Sequence, residues 1–323
     1  MKKILLKVLV PFLISALALW AVTKNVRWDE VKNIMIQARL TPFILGFFIS
    51  LSGFYLRAWR WKILLIPFQN ISLWPLIRWQ VGGILINNLL PLRAGEFARA
   101  YWAGHKTSVS KSTLLATIVM ERVFDVGALA VITLCLLGAM NMIKIKTFLI
   151  IAAGGLLVLG IWRIGSPQSS RKLLDTLLKR LPEKIAQAVK NFISGLHILK
   201  NGKEIVNLVF LSSVIWSMEI IAVAVISRSL GLNLSWTQAG LTMAGLVLGI
   251  MIPAAPGAVG TYEAGGVHVL TLLGFDSNLA FSFIALLHVF QMGAIFVLGI
   301  PSLMIEGFNP KQLYREMTAK EAE

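Results

Sequence analysis

Glu121, Arg122 and Asp125 lie in the run MERVFDVG, inside an otherwise apolar stretch of this 323-residue chain. Glu121 and Asp125 are four residues apart and share a helical face, and Arg122 reaches Asp125 three residues on. Charges inside a membrane segment are costly and face an interior cavity or one another. Such a cluster can bind a charged group, gate by exchanging ion pairs, or fix helix packing. A second set follows in NNLLPLRAGEFARAY, where Arg93 and Arg99 flank Glu96. Arginine binds phosphate through two donors at once, so Arg93 and Arg99, with Arg122, are candidates for a lipid head-group phosphate. Asn87 and Asn88 would add neutral hydrogen bonds. Glu263, in GTYEAGG, is isolated in sequence, since no Lys or Arg occurs between Ser229 and Pro310, and Glu219, in VIWSMEIIAV, is a second lone carboxyl in an apolar run. Glu263 is expected to titrate neutral, to face water, or to pair with Arg93, Arg99 or Arg122 from the other half. Glu96, Glu121, Asp125, Glu263 and Glu219 are therefore the candidates for gating or proton coupling. Arg57, Arg60 and Lys62 alternate with Trp59 and Trp61 in YLRAWRWKILL, a pattern expected of an interfacial anchor, with a lipid-phosphate site as the rival reading.

These residues need elements to hold them, and composition says which. The chain is 57% hydrophobic and 14% charged, with mean hydropathy +0.76; soluble domains carry about 25% charged residues. Apolar runs long enough to cross a bilayer are expected at 5–22, 41–56, 112–140, 147–162, 205–228 and 279–303. Two further segments, 74–100 and 236–274, begin as apolar helix and then break. Pro91 and Gly95 mark the first break; Pro253, Pro256, Gly257 and Gly260 mark the second. Irregular backbone at membrane depth survives only where protein buries it or water reaches it. The expected fold is an all-α integral membrane protein with about six full spans and two re-entrant broken-helix segments. Segments 41–140 and 205–303 then read as an inverted pair, against the alternative of two unrelated Pro-Gly breaks.

The formal charge of +16 fits basic loops and anionic lipid rather than nucleic acid. With the N-terminus in the cytoplasm, 22 Lys and Arg fall on the cytoplasmic side and 7 outside, as the positive-inside rule requires. The N-terminal run resembles a signal peptide but is long, and is expected to remain as the first helix. Residues 166–203 carry apolar stripes opposite Lys and Arg, expected as a helix pair on the cytoplasmic interface or packed on the other helices. Residues 306–323 form a short polar cytoplasmic tail. One cysteine, Cys135, precludes an internal disulfide. The histidines form no zinc motif, and no nucleotide-binding glycine loop occurs; no cofactor and no metal are expected.

RAWRWKILL, NNLLPLRAGEFAR, ERVFD and PAAPGAVGTYEAG, in this order and spacing, resemble the lysylphosphatidylglycerol synthase transmembrane family, also called the flippase-like domain or uncharacterised protein family 0104. The resemblance covers residues 5–305. It implies the membrane module that moves the lipid in bifunctional synthases, without their aminoacyl-transferase domain. The expected function is therefore translocation of a phosphate-bearing lipid, such as a phospholipid, an aminoacyl-phospholipid or a polyprenyl-linked glycolipid, in a bacterial inner membrane. Two rivals stand beside it. One is a membrane-embedded transferase using Glu121 and Asp125 as base or metal ligands. The other is a non-catalytic scaffold for lipid-synthesis enzymes. Expected partners are membrane lipids, chiefly anionic, and those enzymes.

Overall fold

A computed structural model describes residues 2–90, 94–140, 182–195 and 202–307. All regular elements among them are helical. The chain starts with α1 (Lys2–Thr23), turns by 84° and continues as the short α2 (Trp28–Ile36). The next four helices are α3 (Leu40–Leu65), α4 (Leu73–Leu89), α5 (Ala94–Lys106) and α6 (Lys111–Ala139). After the short α7 (Glu183–Gly195) come α8 (Gly202–Ser227), α9 (Trp236–Met251), α10 (Thr261–Leu272) and α11 (Ser277–Ile305). Four helices, α3, α6, α8 and α11, are long and apolar enough to cross a bilayer, and the bent α1–α2 pair makes up to five. The span expected at 147–162 lies outside the described residues, as does the first half of the amphipathic segment 166–203. Its second half, α7, packs on α6: Thr113 Oγ1 donates to the Asn191 carbonyl at 2.9 Å, and Gly195 lies against Ala116.

The helix lengths repeat. α3 to α6 run 26, 17, 13 and 29 residues, and α8 to α11 run 26, 16, 12 and 29. Contacts repeat with them. α3 packs along α8 with Gly46 against Ile226, Gly53 against Glu219, and Arg60 against Ser212. Rising numbers in one helix meet falling numbers in the other, so the two are antiparallel. α4 packs on α11 and α9 on α6, each short helix crossing to the last long helix of the opposite quartet. An axis that exchanges antiparallel α3 and α8 lies across them, in the membrane plane if they span it. That is the geometry of an inverted repeat.

Both breaks are helical hairpins closed by glycine. A Cβ on Gly95 would sit 1.8 Å from the Gly83 carbonyl oxygen, and one on Gly265 would sit 2.2 Å from the Gly245 carbonyl oxygen. Helix axes can approach this closely only where neither residue has a side chain. Gly95 is thus no part of the break, as its sequence position had suggested. It lies in the first turn of α5, and its task is contact with α4. At the second break Gly257 (φ 73°) and Gly260 (φ 91°) take the left-handed region, as does Ala258 (φ 56°). Gly260 also has the α1 backbone against it, at Ser15.

Freed backbone groups in this loop find side-chain partners, as burial demands. Ala255 N–H donates to Ser15 Oγ at 2.8 Å, and Gly260 N–H donates to Glu263 Oε2 at 2.6 Å. In the first hairpin, Gly95 N–H donates to Asn87 Oδ1 at 2.8 Å. The turn Pro256–Ala258 of the second break packs against α4, the first arm of the first hairpin. Pro91 itself lies outside the described residues.

At the end of α11, Glu306 receives Arg78 Nε at 3.0 Å and Lys106 Nζ at 2.6 Å, and its side chain is fully buried. This knot ties α4 and α5 of the first quartet to the last helix. Burial disfavours the Glu306 carboxylate, but Lys106 and Arg78 outweigh it and hold the group below the usual carboxylate range. A lowered value in the folded state means stability that is present above the ordinary carboxylate range and lost as pH falls through the folded value. Glu306→Gln should cost about 2 kcal/mol at neutral pH. The cost, read as the difference in Tm from wild type, should shrink on acidification below pH ~4. A pH-independent difference would contradict the ion-pair origin.

Candidate functional site

Four helices bring their charges to one place. α3 contributes Arg57 and Arg60; α5, Glu96 and Arg99; α6, Glu121, Arg122 and Asp125; and α8, Ser212 and Glu219. Arg60 grips Asp125 with both terminal nitrogens, at 2.7 and 3.1 Å, and donates to Ser212 Oγ at 2.7 Å. Arg99 donates to Glu121 at 2.7 Å and lays its guanidinium over the Trp61 ring at 4.1 Å. Arg57 pairs with Glu219 at 2.9 Å, and Arg122 with Glu96 at 2.9 Å. Weaker contacts tie the pairs together: Arg57–Asp125 at 4.0 Å, Arg60–Glu121 at 3.9 Å and Arg122–Asp125 at 3.8 Å. Among the described residues, four arginines meet four carboxylates here, and such pairing is how charge density survives in a low-dielectric interior.

The cluster has a closed and an open side. Arg60 is 1% exposed and Glu121 3%, whereas the Arg122 side chain is 40% exposed. Glu121 and Asp125 begin about 15 Å along α6 from its start. Hydrogen bonding in the core is incomplete, since Arg60 Nε, Arg99 Nε and Glu121 Oε1 are buried with no protein partner. Trp61 is held by its indole N–H, which donates to Thr117 Oγ1 at 3.1 Å, and this fixes the ring beneath Arg99.

Four expectations change. Arg57 and Arg60 are no interfacial anchor: they are central to the cluster, and α3 runs on to Leu65 rather than ending near residue 56. Their partners lie 61 to 162 residues away, so no local pattern could show them. Glu219 is not isolated, because Arg57 neutralises it. Among the described residues, Glu263 pairs with neither Arg99 nor Arg122. Its partner is His288, on α11 of its own half, at 2.6 Å. Asn87 and Asn88 serve the backbone, Asn87 closing the hairpin and Asn88 donating to the Ile84 carbonyl at 2.8 Å. Arg93, the leading head-group candidate, lies outside the described residues.

The Glu263–His288 pair has a defined proton count. His288 Nε2 faces the Gly257 carbonyl oxygen at 2.9 Å, and a carbonyl can only accept, so Nε2 carries hydrogen. Nδ1 faces Glu263 Oε1, and a hydrogen bond there needs one proton, from either the imidazolium or the carboxylic acid. Glu263 Oε2 accepts from the Gly260 N–H, capping α10. Tyr262 stacks on the imidazole at 4.2 Å. A single proton thus joins α10, α11 and the break. Histidine's place in this pair escaped sequence reading because it sits 25 residues away in an apolar helix.

Among the described residues no group of three or more His, Cys, Asp or Glu could hold a metal ion. Two UPF0104 membrane proteins of Methanocaldococcus jannaschii are similar to this chain. One is 24% identical over 288 residues, covering 82% of this chain and 84% of the relative. The other is 26% identical over 232 residues, covering 67% and 92%. The model of the family described as lysylphosphatidylglycerol synthase TM region matches residues 8–299, a range that contains both hairpins, the arginine–carboxylate cluster and the Glu263–His288 pair. The chain is a multi-pass membrane protein and belongs to the lysylphosphatidylglycerol synthase transmembrane family.

Proposed function

We propose that this protein carries a phosphate-bearing lipid between the leaflets of a bacterial inner membrane, with both termini in the cytoplasm. The observation that supports this reading best is the all-arginine, charge-balanced cluster. A lipid phosphate can take the place of a carboxylate on an arginine with little change in local charge. The half-exposed Arg122–Glu96 pair is the entry point, and Arg99 and Arg57 are the next arginines inward. Acyl chains stay in the bilayer while the head group passes. A phosphate that displaces a carboxylate loosens the contact between α5 and α6, and the inverted quartets supply two alternative arrangements to exchange. The transferase reading is less well supported, since Glu121 and Asp125 are each engaged by an arginine rather than open to act as base.

The Glu263–His288 proton makes the second hairpin the coupling element in this scheme. Releasing that proton leaves a carboxylate facing a nitrogen lone pair, which pushes α10 from α11. Glu263→Gln tests this cleanly. The amide N–H can still donate to His288 Nδ1 and the amide oxygen can still accept from Gly260, but no proton can leave. In vesicles holding purified protein and a fluorescent phosphatidylglycerol, wild-type flux should respond to an imposed pH gradient by about tenfold, equivalent to about 1.4 kcal/mol. The Gln variant should fold normally and show flux independent of the gradient. A variant that still follows the gradient would remove the pair from coupling, and a wild type that moves no lipid would remove translocation itself.

A further inference from the structure

The two quartets match by residue as well as by helix. Glu96 is the third residue of α5 and Glu263 the third of α10; Arg122 is the twelfth residue of α6 and His288 the twelfth of α11. Glu96–Arg122 and Glu263–His288 are therefore the same contact made twice. Each fastens the second arm of a hairpin to the long helix that follows it, at 2.9 and 2.6 Å, so both latches are closed in this structure. Arg57 and Glu219 are each the eighteenth residue of their helices, α3 and α8. Equivalent positions that touch must straddle the axis relating the quartets, and these two pair at 2.9 Å. The halves are thus hinged on an ion pair that belongs to both.

One difference separates the latches. Arginine stays charged throughout the physiological pH range, whereas the Glu263–His288 bond lasts only while the pair keeps its proton. The first latch opens when an anion takes Arg122 from Glu96; the second opens when a proton leaves. Few other groups approach that proton. α10 adds Tyr262, stacked on the imidazole, and His268, exposed five residues beyond Glu263. α1 places Ser15 at the break, and α9 has no titratable side chain. α8 has Glu219, neutralised by Arg57, and α3 meets α11 through Phe43 and Phe47 on Phe290. Glu30 of α2 meets α11 at Asn278, about 15 Å before His288, and Arg78 of α4 meets Glu306, about 27 Å beyond it.

We infer that lipid and proton are held together: a lipid phosphate on Arg122 opens the first latch and closes the second on a proton drawn from water, and loss of that proton closes the first latch and expels the lipid. This linkage rests on the translocation reading above and gives its coupling a sign. Inverted repeats change state by exchanging the arrangements of their halves, so a quartet with an open latch faces one with a closed latch. The open first quartet holds lipid while the closed second quartet holds its proton. Opening both would part α5 from α6 and α10 from α11 together, and would expose the buried charges between them. Linkage is reciprocal, so the proton must strengthen lipid binding by the factor with which lipid strengthens proton binding.

The test is binding of dihexanoyl phosphatidylglycerol to the full chain in detergent, followed by calorimetry in buffers of different ionisation enthalpy. Affinity should fall at least about tenfold from pH ~6 to pH ~9, the span in which an imidazole ordinarily gives up its proton. Proton uptake should accompany binding at the upper end of that span. Glu263→Gln keeps both hydrogen bonds but cannot release a proton, so it should hold the high affinity at pH ~9 and take up none. Glu96, freed when phosphate takes Arg122, is the other group able to accept a proton. Uptake that survives in Glu263→Gln therefore comes from Glu96 and would overturn the assignment. Wild-type affinity that is flat or rises with pH would overturn it as well. Failure of the wild type to bind lipid at any pH would instead remove the translocation reading, and the linkage with it.

Discussion

Arg60→Ala should cost the folded protein about 3–5 kcal/mol, the usual penalty for leaving a buried charge without its partner. Arg60 is the hub: it holds both oxygens of Asp125 and the hydroxyl of Ser212, and it joins α3 to α6 and α8. Removing it strands Asp125, which is 5% exposed, with Arg57 and Arg122 at about 4 Å as its remaining counter-charges. The double variant Arg60→Ala with Asp125→Ala should be less destabilised than Arg60→Ala alone, since it leaves no unpaired carboxylate. Tm and denaturant midpoints in detergent measure both. The same pair separates stability from transport. If the carboxylates serve only to neutralise, the double variant recovers folding without lipid movement. A single variant within 1 kcal/mol of wild type would mean that water already solvates the cluster.

Gly95→Ala should be as severe, for a different reason. The new methyl would lie 1.8 Å from the Gly83 carbonyl oxygen and 2.9 Å from Asn87 Oδ1. The first is backbone, which no rotamer change can move, so α5 must leave α4. That separation would carry Arg99 and Glu96 away from α6 and break the Asn87 bond to the Gly95 N–H. A loss of more than about 3 kcal/mol is expected, at the upper end of overpacking effects. Gly265→Ala, 2.2 Å from the Gly245 carbonyl, should do the same in the second half. Gly127→Ala meets nothing within 4 Å and should be neutral or slightly stabilising, as alanine suits a helix better than glycine. The comparison is read from folded yield and Tm. Equal behaviour of the 95 and 127 variants would mean that α5 does not lie as close to α4 as the Gly95–Gly83 contact requires.

Much of this architecture could be read from residue pattern. Long apolar runs gave the places of α3, α6, α8 and α11, because lipid leaves a long segment no other way to satisfy its backbone. The two breaks were visible through Pro253, Pro256 and Gly257 and through the Pro91 region, and the buried charges of α6 were visible because each stands out against its surroundings. Where reading failed, it failed over distance. The RAWRW run reads as a membrane edge because arginine beside tryptophan usually is one, and only partners on α6 and α8 convert it into a buried hub. Glu263 reads as a carboxyl in want of an arginine because its partner is a histidine 25 residues away on α11. Gly95 was counted with the break because a glycine near a proline reads locally as a turn.

The sequence by itself determined that this chain is a bundle of membrane helices with two interrupted hairpins and a set of charges too costly to be idle. Local periodicity and hydropathy carry that information, and both act within a few turns of helix. Tertiary structure decided which charge meets which. Arg60 and Asp125, Arg57 and Glu219, and Glu263 and His288 are paired by helix packing, and ion pairs in low dielectric are set by ångströms rather than by order along the chain. The docking of α3 on α6 made the first choice, of α3 on α8 the second, and of α10 on α11 the third. The docking of α3 on α8 also joined Arg39 to Ser229 at the far end, where no stretch of sequence contains both.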